Sequence, residues 1–267
     1  MSVVTEPRVV VVMGGARRAG MGRAIVESFL DAGDIVIVSD LGASLESHPD
    51  YEVTPSDELL AAEAELRARG NIHAMRCDVT DEKQVEALFD HVIERFGGVD
   101  VMVNCAGLAI GLSPVAELEL RDWQVNIDVM ATGAFLCARA AARRMLDRGR
   151  GGRIITIASQ AGKTGHPYMA AYSAAKFAVI GLTQSMAAEL GQHDITVNAV
   201  CPGTIDTPLL AVKGGVYETF SGAAGRTEAD YRERLARQIP ARRFGTPADV
   251  AASVFFLASG PASFITG

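Results

Sequence analysis

The chain has 267 residues, a formal net charge of −7 at pH 7, and a composition that is 49% apolar but only 6% aromatic. The acidic balance excludes nucleic acid and an anionic membrane as main partners, and the lack of a Pro/Ser-rich linker favours one α/β domain over residues 1–267 rather than two small ones. Cys77, Cys105, Cys137 and Cys201 are widely spaced, the five histidines show no metal-ligand spacing, and no apolar run reads as long enough to span a bilayer; the expectation is a cytoplasmic, unexported protein with reduced, mostly buried thiols and no metal.

Val9 to Val12 is a β-branched run that reads as a strand, followed at once by the loop from Gly14 to Gly22, G-G-A-R-R-A-G-M-G. Ile25, Val26, Phe29 and Leu30 then recur at helical spacing, with Gly33 placed to end the helix. Strand, glycine loop and helix form the setting of a dinucleotide site, because glycines let the backbone approach a pyrophosphate and the helix N-terminus favours its charge. Gly14, Arg17, Gly20, Met21 and Gly22 are therefore candidate cofactor contacts. Asp40 follows a second apolar run, Ile35 to Val38, and stands twenty residues beyond Gly20, where an acid binds the adenosine ribose hydroxyls. Its carboxylate would repel a 2′-phosphate and argues for NAD over NADP; Arg17 and Arg18 argue the other way, since a basic residue in this loop could neutralise that phosphate.

Residues 41–57 are polar and interrupted by Pro49 and Pro55, and two readings stand: a surface insertion, or a flap beside the adenosine end that slows cofactor exchange. A helix is expected from Ser56 to Arg69 and a third strand from Ile72 to Cys77. The next helix, begun at Asp81, carries Val85, Leu88, Phe89, Val92 and Phe96 on one side and ends at Gly97-Gly98. Val101 to Val103 is the fourth strand, leading into Asn104-Cys105-Ala106-Gly107, and one helix is expected from about Arg121 to Leu146.

The strand Arg153 to Ala158 runs into Ser159, and a helix through Leu190 carries Tyr172 and Lys176 one turn apart on one face. A tyrosine with a pKa of about 10 is a poor proton acceptor near neutrality unless a nearby positive charge favours the phenolate, and Lys176 can supply that charge. Ser159 can donate to a substrate oxygen while Tyr172 moves the proton. Tyr168 has no lysine four residues on and is read as a wall of the substrate site; His166 is read as a loop residue. A sixth strand, Thr196 to Val200, precedes Cys201 to Pro208; residues 208–240, with Gly214-Gly215 and Gly222 to Gly225, read as a mobile lid, and Pro247 to Ser259 as a helix.

Ser159, Tyr172 thirteen residues later and Lys176 resemble the catalytic signature of the short-chain dehydrogenase/reductase family, and further motifs in that family's order cover nearly the whole chain from Val9 to Gly267. The resemblance implies a three-layer, doubly wound Rossmann-type α/β fold, mostly parallel, with its ligand at the carboxyl ends of the strands. It implies adenine contacts from Asp78 and Val79, a backbone passing close to the cofactor ribose at Ala106 and Gly107, and strand-tying by Asn104. It further implies cofactor contacts along Pro202, Gly203, Ile205 and Thr207, a nicotinamide ribose contact from Lys176 beside Tyr172, and a homotetramer or homodimer. The chain departs from the family at Met13 and in a longer glycine loop, at Cys105 where a second asparagine is usual, and at Met130, where an asparagine normally completes a Ser-Tyr-Lys-Asn tetrad. Asn126 lies one turn before Met130 and is read as able to approach the same water. The insertion is similar to a lengthening in some actinobacterial members, including those linked to the redox partner mycofactocin. Family members usually continue beyond the position of Gly267 into one more strand ending Asp-Gly-Gly.

The expected activity is the NAD(P)-dependent interconversion of a secondary alcohol and a ketone, with a small-molecule substrate. Two alternatives remain at this point: a nucleotide-binding regulatory or scaffold protein, suggested by Met130 and the irregular loop, and an NADPH-dependent reductase of 3-oxoacyl groups on a carrier, suggested by Arg17 and Arg18.

Overall fold

The computed structural model describes residues 6–51, 56–212 and 214–267. In chain order the first half contains β1 (Val9–Met13), α1 (Met21–Asp31), β2 (Ile35–Asp40), α2 (Ser56–Leu66), β3 (Ile72–Arg76), α3 (Glu82–Phe96) and β4 (Val101–Asn104). The second half contains α4 (Leu120–Ile127), α5 (Gly133–Arg148), β5 (Gly152–Ile157), α6 (Ala170–Leu190), β6 (Ile195–Val200), α7 (Val216–Ala223), α8 (Glu228–Gln238) and α9 (Pro247–Leu257). The strands form one parallel sheet in the order β3-β2-β1-β4-β5-β6. The expected doubly wound architecture is thus present.

Near-continuous apolar strands follow from a sheet covered on both faces. Val9, Val11, Met13 and Met102 pack with α3 and α5 on one side, while Val10, Val12, Val36 and Val103 pack with α1 and α9 on the other, the period of two placing neighbours on opposite faces. Helix ends obey local chemistry: the Asp81 carboxylate accepts the N–H groups of Lys83 and Gln84 at the start of α3, and Gly97 closes it with a φ of +78°.

Two expectations need correction here. The helix read from Arg121 to Leu146 is not uniform: Asp128–Thr132 form a π turn in which the Asp128 carbonyl accepts the Gly133 N–H, five residues on. Met130 sits inside it, buried. The apolar spacing on either side suits one helix, so periodicity does not report one widened turn. Through that turn Leu120–Arg148 spans 29 residues and is long and apolar enough to cross a membrane, contrary to the reading that no run was. Its most apolar stretch is 61% buried in the fold, with α5 lying on α3, β4 and β5.

Candidate active site

The chain leaves β1 toward β2 on one side of the sheet and returns to β4 on the other, so the loops after β1 and β4 diverge and leave a crevice at their carboxyl ends. The crevice floor is tight. The Cys105 N–H donates to the Met13 carbonyl at 2.8 Å, and a Cβ on Gly14 would stand 2.6 Å from the Ala106 nitrogen. Burial pushes the Cys105 thiol up to about 11.

Above this floor lies a cavity of about 810 Å³. Gly14, Arg17, Gly20, Met21 and Gly22 line it from the first loop, Asp40 from the end of β2, Asp78 and Val79 from beyond β3, Ala106 and Gly107 from beyond β4, and Thr207 from beyond β6. The residues fit a dinucleotide. Helix α1 starts at Gly20 with no side-chain cap and no acid in its first turn, leaving its N–H groups and partial positive charge for a pyrophosphate. The two Asp40 carboxylate oxygens accept the Ala16 and Leu41 N–H groups at 3.1 and 3.0 Å, which fixes an anion at the ribose end. Arg18 is drawn away: its N–H donates to Glu58 at 2.6 Å and its guanidinium pairs with Glu65. Arg17 remains on the wall, joined by Arg76, whose Nε donates to the Leu41 carbonyl at 2.9 Å.

Other expected contacts are placed differently. Asn104 is buried beneath the cavity, and its Oδ1 accepts the Ala106 N–H at 3.1 Å, so it shapes the turn rather than lining the groove. Pro202, Gly203 and Ile205, like Ser159, Tyr172 and Lys176, lie just beyond the lining; the Pro202 carbonyl accepts the Gln160 N–H and Ile205 pairs with Gly245, in the stretch that leads to Thr207 on the wall. Asp78, on the cavity wall as expected, accepts the Thr80 N–H and hydroxyl, and Asp81 starts α3.

Ser159, Tyr172 and Lys176 converge beside this groove. Gly162 lets the short turn after Ser159 lie directly on α6, since a Cβ there would come within 2.6 Å of the Lys176 carbonyl oxygen. Ser159 neighbours the Tyr172 phenol, and the Lys176 Nζ lies 5.7 Å from the Tyr172 ring centroid while donating to the Ile157 carbonyl at 2.8 Å. A Cβ on Gly107 would lie 3.7 Å from both the Lys176 Nζ and the Met130 sulfur, which places Met130 beside the ammonium. Asn126 Nδ2 donates to the Ile110 and Asp122 carbonyls at 2.9 and 2.7 Å, while its buried Oδ1 has no partner among the described residues.

The electrostatics differ from expectation. Burial raises the Tyr172 phenol above its usual value, and hydrogen bonding with Ser159 opposes it; Lys176 contributes no resolved lowering. Burial in turn depresses Lys176 from 10.5 to about 8. A lysine depressed in the folded state means the unfolded chain holds more protons between those values, so stability rises with pH through that window. Chemical denaturation at pH 7.5 and 10 should therefore show wild type gaining stability relative to Lys176→Met; parallel curves would show an ordinary lysine.

The insertion carries what the sequence did not disclose. Residues 41–51 run across the cavity, not only beside its adenosine end, and Leu45 and Tyr51 join an apolar cluster with Leu108, Ile110, Met130 and Tyr172. The Ala109 N–H donates to the Tyr51 hydroxyl at 3.0 Å, and His48 Nε2 meets Asp122 at 2.9 Å. The surface reading is corrected for this part; residues 52–55, with Pro55, lie outside the described residues. An aromatic and a leucine inside a polar stretch were the available signal.

A family model described as enoyl-(acyl carrier protein) reductase matches residues 14–267. A short-chain dehydrogenase/reductase of Armillaria gallica is 37% identical over 264 residues, covering 99% of this chain and 94% of that protein. Among solved structures, carveol dehydrogenase from Mycobacterium avium in complex with NAD superposes with a TM-score of 0.88 at 27% identity, over 97% of this chain and 93% of that one. Actinorhodin polyketide ketoreductase with NADPH does so with a TM-score of 0.84 at 33% identity, with the same two coverages.

Proposed function

The chain belongs to the short-chain dehydrogenase/reductase family, and from that premise we propose that it interconverts a secondary alcohol and a ketone, with NAD preferred to NADP. Membership makes it an oxidoreductase acting on CH–OH groups, which leaves the scaffold alternative without support. The observation that carries the reading is the buried Lys176 over the Tyr172 ring, with Ser159 acting on the same phenol, beside a groove that fits a dinucleotide.

In this reading the Ser159 hydroxyl holds the substrate oxygen and the Tyr172 phenol exchanges a proton with it. A bound nicotinamide supplies the hydride acceptor in oxidation and the hydride donor in reduction. Lys176 keeps a cation at the phenol's back, close to Gly107, where a cofactor ribose passes in the family. Because burial raises the phenol, the unliganded residues favour its protonated form, and the phenolate needed for alcohol oxidation depends on Ser159 and on charge brought close to the ring. Secondary-alcohol turnover with NAD, lost in Tyr172→Phe, tests the whole.

Preference for NAD rests on the anchored Asp40 carboxylate and on Arg18 being engaged by Glu58 and Glu65. The same engagement of Arg18 removes one of the two basic residues behind the NADPH-dependent carrier-reductase alternative, Arg17 staying on the wall. Hydrogen bonds to a charged group are worth about 1.5–3 kcal/mol, so Asp40→Ala should weaken NADH at least about 10-fold and narrow the NADH/NADPH ratio, read by fluorescence titration. Tighter binding of NADPH by wild type would contradict the assignment. Exposed apolar side chains on the outer helices, Trp123, Phe135 and Phe177, support a homodimer or homotetramer as the working assembly.

A further inference from the structure

Resting on the alcohol–ketone reading, we propose that the substrate is an uncharged, largely apolar ring alcohol or ketone, and that Tyr168 and Phe220 are the side chains that select it.

The surroundings of the reacting groups are apolar. Tyr172 packs into the cluster built by Leu108, Ile110 and Met130, to which the insertion adds Leu45 and Tyr51. Among the described residues, what perturbs Tyr172 is burial, Ser159 and Cys105, and what perturbs Lys176 is burial and the thiols of Cys105 and Cys201. The charged groups act one residue further out, Arg17 on Tyr51 and Asp40 on Cys105. A substrate body that packs on this cluster would leave a charge or hydroxyl held against Leu108, Ile110 and Met130 without a partner, which is costly.

Aromatic rings stand on the turn that leads from Ser159 to α6 and on the helices it meets. Tyr168 lies in the turn between Ser159 and the start of α6, and its backbone is left-handed, with φ at +65°. That conformation is rare for a bulky side chain and persists where surrounding structure imposes it. Here it directs the ring edge-on to Phe220 of α7, centroids 5.8 Å apart at 79°, and Phe220 in turn stacks on Tyr231 of α8 at 6.4 Å and 22°. One ladder of rings thus ties the turn between Ser159 and α6 to both α7 and α8. All three rings are only partly buried. A flat or alicyclic ring extends such a ladder through further ring contacts, which a linear polyol does not make.

The test compares three substrates with NAD: 4-methylcyclohexanol, sorbitol and 3-hydroxybutyrate. The ring alcohol should have the highest kcat/KM, by about 100-fold, a ratio within the reach of apolar pockets. Tyr168→Ala and Phe220→Ala should each raise its KM about 10-fold while kcat stays within about 3-fold, and Tyr168→Phe, which keeps the ring, should match wild type. NADH binding within about 2-fold of wild type shows that each variant is folded. Preference for sorbitol or 3-hydroxybutyrate, or an unchanged KM in both alanine variants, would overturn the proposal while leaving the alcohol–ketone reading in place. Failure of all three substrates in a protein that still binds NADH would remove both.

Discussion

Replacing Tyr172 with phenylalanine should lower kcat by roughly 10²–10⁴-fold, the usual contribution of general acid–base catalysis, while changing the NADH dissociation constant less than about 3-fold. The ring and its packing against Leu108, Ile110 and Met130 are retained, so only the proton-transfer group is lost. No neighbour stands ready to replace it. The Tyr51 hydroxyl is engaged by the Ala109 N–H, Tyr168 turns its ring to Phe220, and the Lys176 Nζ is bonded to the Ile157 carbonyl. Ser159 keeps its hydroxyl but has no base behind it other than this phenol. Steady-state rates with a secondary alcohol and NAD, alongside NADH titration, separate the two effects. Robust turnover in the variant would show that the proton leaves by another route.

Gly22→Ala should act on the other half of the site. A Cβ at Gly22 would lie 2.1 Å from the Gly14 carbonyl oxygen and 2.9 Å from both the Gly14 carbonyl carbon and the Gly15 Cα, and backbone atoms cannot rotate away as a side-chain tip can. Gly14 is itself held at φ +71° against Ala106, so the loop has little freedom to yield. The start of α1 must shift, carrying its free N–H groups off the groove. Hydrogen bonds to a charged group are worth about 1.5–3 kcal/mol each, so displacing even one predicts NADH binding weakened by about 10–100-fold. Overpacking of about 1–3 kcal/mol should also lower Tm by several degrees. Gly181→Ala is the matched control: it lies in α6 with nothing within 4 Å, and it should leave both quantities unchanged or slightly improved. Equal NADH affinity in Gly22→Ala and the control would show that the glycine loop does not hold the cofactor.

The βα units were readable because their physics is local. A β-branched run, a glycine turn and a 3.6-residue repeat each leave a mark within a dozen residues, and Val9–Met13, Met21–Asp31 and Glu82–Phe96 formed where those marks stood. The π turn around Met130 left none, because one widened turn preserves the apolar pattern on both sides. The path of residues 41–51 depends on contacts with Ala109 and Asp122, which lie 58 and 74 positions along the chain from Tyr51 and His48. No window around the insertion contains them. The direction of the Tyr172 shift was also hidden: spacing reveals a lysine one turn away, but not that burial outweighs it and depresses the lysine as well. Asn104 and Asn126 show the same limit, since an asparagine near a site looks alike whether it faces a ligand or, as here, braces a neighbouring backbone.

A crystal structure of the chain with NAD bound tests the central claim most directly. The account predicts adenosine ribose hydroxyls on Asp40, the pyrophosphate at the start of α1, and the nicotinamide beside Gly107 with the Tyr172 phenol and the Lys176 ammonium facing it. A dinucleotide bound elsewhere, or a nicotinamide walled off from Tyr172 by the 41–51 segment, would contradict it.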